Sequence, residues 1–133
     1  MADLMDTLEY AHEWLEFAEM DVNSAEYLMN MRPRPDEIIC YHCQQSAEKS
    51  LKGFLVINDI TPPKIHNLLD LCGLCVAYNA EIKNLLFQLE YLNQFSVTPR
   101  YPRELTLTDQ DAQNAIDYAK IVFEFIKTRF SKQ

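Results

Sequence analysis

Apolar side chains recur at alternating steps of three and four along most of this chain, the spacing of one face of an α-helix. Leu4, Leu8, Ala11, Leu15, Ala18, Val22, Ala25 and Met29 form the first such stripe, with Asp6 or Thr7 as its expected cap. Prolines come in three pairs, Pro33/Pro35, Pro62/Pro63 and Pro99/Pro102; a proline interrupts a helix interior, so the pairs mark connections. After the first pair, Asp36 is the expected N-cap of a second helix running to about Asn58. On that helix Ile39, Cys40, Cys43, Ser46, Ala47, Ser50, Leu51 and Phe54 share one arc, while Tyr41, His42, Gln44, Gln45, Glu48, Lys49 and Lys52 share the opposite, polar one. The small residues of the first arc predict a close approach by a neighbouring helix.

The third block starts near Lys64-Ile65-His66-Asn67 and gives a short helix that carries Leu68, Leu69, Leu71, Cys72, Cys75 and Val76 and is expected to end near Tyr78 or Asn79. A fourth follows from about Ala80 to Phe95, with Ile82, Leu85, Leu86, Leu89 and Leu92 inward, and Thr108 caps a fifth whose inner residues are Ala112, Ala115, Ile116, Ala119, Val122, Phe123 and Ile126. Only two glycines, Gly53 and Gly73, occur in 133 residues, too few for strands joined by tight turns. The pattern predicts an all-α, single-domain antiparallel bundle of about five helices over residues 1–133, and the 48% hydrophobic composition suffices for one core.

Charge narrows the function classes. A formal net charge of -8 opposes nonspecific DNA binding and attraction to anionic lipid. No apolar run approaches the roughly 18 residues of a membrane span, and the acidic N-terminus lacks signal-peptide order, so a cytoplasmic protein is expected. There the four cysteines stay reduced. Cys40-x-x-Cys43 and Cys72-x-x-Cys75 have the form of a zinc-ligand set, but 28 residues separate the pairs where about 15 to 20 is usual. Both pairs fall on the apolar arcs of helices, where thiols pack like alanine; no metal and no cofactor are expected.

Of the three histidines, His12 reads as a surface residue among glutamates. His42 lies on the polar arc with Gln45 and Lys49, one turn apart, which sets an imidazole, an amide and an ammonium side by side. His66 follows Lys64 at the start of a helix whose free backbone N–H groups attract anions. Arg100-Tyr101-Pro102-Arg103 joins two guanidinium groups and a phenol in an otherwise acidic chain, a combination suited to phosphate and base stacking. Ordinary surface or interface contacts account for each of these groups as well. No GxxxxGK[ST], HExxH or GxSxG signature is present.

The stretch Ile39 to Lys52 (ICYHCQQSAEKSLK), then Pro63 to Leu69 (PKIHNLL), then Thr98 to Pro102 (TPRYP), together with Ala11 to Leu15 and Ala18 to Asp21, resembles the HEPN family of higher-eukaryote and prokaryote nucleotide-binding domains. The resemblance implies a bundle of about five helices, commonly a homodimer, associated with nucleotide or RNA binding. Many prokaryotic members accompany a minimal nucleotidyltransferase in toxin-antitoxin pairs, and here a separate subunit would have to supply the transferase. It assigns nucleotide or anion binding to His42, Gln45, Lys49, Lys64, His66, Arg100 and Tyr101. Ribonuclease relatives carry an Arg followed after four to six residues by a His. None of Arg32, Arg34, Arg100, Arg103 or Arg129 has a His so placed, so a non-catalytic role ranks above a metal-independent ribonuclease toxin. A helical dimerisation or protein-interaction module without a small-molecule ligand is the alternative.

Overall fold

The computed structural model describes residues 4–96 and 107–130. Its elements are α1 (Leu4–Leu28), α2 (Asp36–Ile57), α3 (Leu68–Val76), a 3-10 helix (Ala80–Leu85) that leads into α4 (Leu86–Asn93), and α5 (Asp109–Phe130). Among the described residues there is no strand. The chain therefore forms a single-domain all-α fold.

Helix α2 is the centre of the bundle, contacting α1, α3, α4 and α5. All eight residues of its apolar arc are buried. The opposite arc, expected to be polar and open, is half covered: Gln44, Glu48 and Lys52 are also buried. A central helix has neighbours on nearly every side, so polar groups there must be paired rather than hydrated. Contacts fix the directions. Asp21 meets His42 and Lys49 while Gly53 lies against Ala11 and Trp14, so α1 runs antiparallel to α2. Glu26 pairs with Lys120 and His12 meets Phe130, so α5 is antiparallel to α1.

Helix ends differ from the sequence reading in informative ways. Asp6 and Thr7 lie inside α1, which begins by Leu4, and Leu4 and Leu8 at the head of its stripe are exposed among the described residues. Pro35, not Asp36, holds the N-cap position of α2: its carbonyl accepts from the N–H groups of Ile38 and Ile39, and Asp36 sits in the first turn beside Arg34. Helix α3 starts at Leu68, directly after the Lys64–Asn67 stretch, where the Asn67 carboxamide accepts from the N–H groups of Leu69 and Asp70 at 2.9 and 3.0 Å. The fourth element divides, and Leu86 turns outward at the junction. After α2, Asp59 takes a left-handed φ of 63°, and the Ile60 N–H reaches back to the Leu55 carbonyl, closing the helix end.

The two ends of the connection between α4 and α5 are clasped together. The Tyr91 hydroxyl donates to the Asp111 carboxylate, which also accepts from the N–H and hydroxyl of Thr108. Tyr91 further packs edge-on against Phe95 and Tyr118. The hydrogen bond from Tyr91 holds the Asp111 carboxyl below its ordinary 3.8, while burial and the same bond raise the Tyr91 phenol above its ordinary 10.

This packing can be probed at two points. A Cβ at Gly53 would stand 3.1 Å from Cβ of Trp14 and 3.3 Å from the carbonyl oxygen of Ala11, so Gly53→Ala forces α1 outward. Overpacking should outweigh the helix-propensity gain and lower stability by about 1–3 kcal/mol in urea unfolding. Tyr91→Phe should cost about 1 kcal/mol at neutral pH. Because the Asp111 carboxyl is depressed, that difference is full above pH 3.8 and fades as the pH falls through the folded-state value; because the phenol is raised, it fades again as the pH climbs beyond 10.

Candidate anion-binding site

Asp21 follows Ala18 by three residues and precedes Ala25 by four, which places a carboxylate in the register of the buried stripe of α1. Such a group must find donors, and α2 supplies two. The Lys49 ammonium lies 2.7 Å from one Asp21 oxygen and Nδ1 of His42 lies 3.0 Å from the other. Asp21 is 8% exposed, whereas the His42 and Lys49 side chains retain 30% and 27%. The carboxylate is thus an inner anchor for two partly exposed side chains that carry nitrogen donors. Beside them Met20, Asn23, Ser24, Tyr27, Leu28 and His42 line an open hollow of 460 Å³, and Tyr27 presents an almost fully exposed phenol.

A second polar group sits one strip further round α2. Glu48 and Lys52 form a buried ion pair at 3.0 Å, with side chains 6% and 7% exposed. Nδ1 of His66 meets the same carboxylate at 3.1 Å, and the Lys52 ammonium stands 6.0 Å from the Trp14 ring centroid. Gln44, fully buried, donates to the His66 carbonyl oxygen, and Gln45 donates to the Gln44 side-chain oxygen. This network fastens the segment before α3 onto α2.

The seven residues picked from sequence therefore divide. His42 and Lys49 converge on Asp21; Gln45 and His66 join through Gln44 and Glu48. Lys64 is exposed and has no hydrogen-bond or ion-pair partner among the described residues. Arg100 and Tyr101 lie outside the described residues. The start of α3 is not an open anion cradle, because the Leu68 N–H donates to Asn93 at 2.8 Å and the next two N–H groups donate to Asn67. Sequence reasoning does not single out Asp21 or Glu48, the two anchoring acids; an acid in the register of a buried apolar stripe is the signal that points to Asp21.

The four cysteines are buried core residues. Burial pushes the Cys40 and Cys75 thiols up to about 12 and raises Cys43 and Cys72 as well, which disfavours the thiolate that binds metal or attacks. The Cys75 thiol donates to the Leu51 carbonyl at 3.5 Å.

The two acids should respond differently to removal. Glu48→Ala strands the Lys52 ammonium in the core and should cost about 3–5 kcal/mol. Asp21→Ala leaves His42 and Lys49 able to rehydrate and should cost about 1–2 kcal/mol. A double-mutant cycle of Asp21 with Lys49, read by urea unfolding, should give a coupling near 1 kcal/mol.

Comparison with known proteins agrees with this architecture. The model of the HEPN domain family matches residues 11–129. Candidate toxin MJ1304 of Methanocaldococcus jannaschii is 29% identical over 142 aligned residues, which cover 96% of this chain and 92% of the relative. Among solved structures, TT1696 from Thermus thermophilus superposes with a TM-score of 0.74 at 24% identity, covering 89% of this chain and 96% of that one. ST0689, an archaeal HEPN homologue, gives a TM-score of 0.68 at 24% identity, covering 90% and 97%.

Proposed function

Because the chain belongs to the HEPN domain family, we propose that it is a nucleotide-binding member of a toxin-antitoxin type pair, non-catalytic by itself and acting with a separate minimal nucleotidyltransferase. The observation that carries this reading is the pair of half-open donors, His42 and Lys49, oriented by one buried carboxylate. Holding donors in place before the ligand arrives removes part of the ordering cost of binding, and a phosphate accepts from an ammonium and from the Nε2–H that a protonated imidazole keeps when its Nδ1–H is given to Asp21. Tyr27, at the rim of the adjoining hollow, offers a face for a base, the role that the sequence reading gives to Tyr101.

Within the proposal, Lys64 and Arg100 add charge for the outer phosphates, and Gln45 and His66 border the site through their ties to Gln44 and Glu48. A homodimer doubles the site. The M. jannaschii relative described as a candidate toxin supports the pairing with an antitoxin, and the absence from the sequence of an Arg with a His four to six residues on supports the non-catalytic assignment.

Calorimetry with a panel of nucleoside triphosphates tests the proposal. Saturable micromolar binding is expected, weakened at least about tenfold, or about 1.4 kcal/mol, by Lys49→Ala and by Arg100→Ala, with helicity by circular dichroism unchanged. Equal affinity in the Lys49→Ala protein removes His42 and Lys49 from the site. No binding by the wild type leaves the protein-interaction reading.

A further inference from the structure

We infer that the groove between α1 and α5 is a docking surface for a basic amphipathic helix of a partner protein. Helix α1 packs closely on α2, but its flank toward α5 is parted into two hollows of 280 and 180 Å³ that share Glu19 and Phe123 and so form one groove. Leu15, Val22, Phe123 and Phe130 contribute its apolar lining, and each is 6% exposed in a core whose other apolar members are exposed less.

Charge selects the occupant. The walls carry Glu16, Glu19, Glu26 and Glu124. Of these only Glu26 has a cationic partner among the described residues, Lys120 at 3.1 Å; the other groove lysine, Lys127, lies 5.8 Å from the Phe123 ring centroid. An acidic rim over an apolar floor is the complement of a helix with Leu on one face and Lys or Arg beside it. The groove follows α1 from His12 to Glu26, about 21 Å at the helical rise, room for about four turns.

Other occupants fit less well. Carboxylates repel nucleic-acid phosphates. A second copy docked α1 to α1 would present the same acids, since that helix has no Lys or Arg. A polyamine would answer the charge and leave the apolar floor uncovered. The groove flanks α5, whereas Asp21 reaches toward α2, so this inference stands independently of nucleotide binding at His42 and Lys49.

The test uses a fluorescein-labelled peptide of about 16 residues with Leu at helical i, i+3, i+4, i+7 spacing and Lys elsewhere, titrated with the full chain at about 0.15 M salt and read by anisotropy. It should bind at least about tenfold more tightly than a scrambled peptide of identical composition. The exposed double substitution Glu16→Lys with Glu19→Lys should remove that preference without changing circular dichroism, and amide shifts on binding should centre on Leu15, Val22 and Phe123. Equal binding of the scrambled peptide, full displacement by spermine at equal charge, shifts centred elsewhere, or no binding overturns the inference. So does a change of oligomeric state in the Glu16→Lys/Glu19→Lys protein, which would assign the groove to contacts between copies.

Discussion

Close contact between α1 and α2 at Gly53 sets the geometry of the candidate site. With no side chain at that point, the carbonyl of Ala11 and the Cβ of Trp14 settle directly on the α2 backbone. Two antiparallel helices held together at one point have their remaining neighbours fixed by helical rise. Asp21 lies about 15 Å along α1 from Ala11, and on α2 Lys49 and His42 lie about 6 and 17 Å from Gly53. The carboxylate thus falls between the two donors and can serve both. Sliding either helix by one turn would separate them, so a small residue with no chemistry of its own decides where the chemistry is assembled.

Much of this architecture can be read from the residues. The apolar stripes identify the helices, and every residue they assign to the inner arcs of α2 and α5 is buried, because helical periodicity reports directly on which side faces a core. Helix ends are less legible, since capping depends on local competition: Pro35 occupies the N-cap position that the pattern alone assigns to Asp36. The nature of the polar arc is harder still. Gln44, Glu48 and Lys52 are residue types that normally face water, and their burial becomes apparent only once α2 is known to be surrounded. The pairing of His42 and Lys49 is visible as a regular spacing on one face, whereas their common anchor lies on another helix and no local pattern connects it to them.

The two carboxylates on the α2 network illustrate how burial divides structural from available chemistry. Glu48 is enclosed with Lys52, so the ammonium that neutralises it is out of reach of solvent, although its partner His66 is largely exposed. Asp21 is enclosed while its partners are not. The same ingredients, an acid, a lysine and a histidine, therefore produce a rivet in one place and an oriented pair of donors in the other. Net charge hides this distinction: an acidic chain can still present a small cationic surface when the compensating acid is behind it.

The clasp between Tyr91 and Asp111 has a bearing on how the fold can change over evolutionary time. By joining the end of α4 to the beginning of α5, it makes the ends of the intervening connection neighbours whatever lies between them. The entropic cost of closing a chain segment between fixed ends grows only with the logarithm of its length, about 0.6 kcal/mol for each doubling. A change in the length of this connection would therefore cost the bundle little, because the clasp fixes where it leaves α4 and where it enters α5.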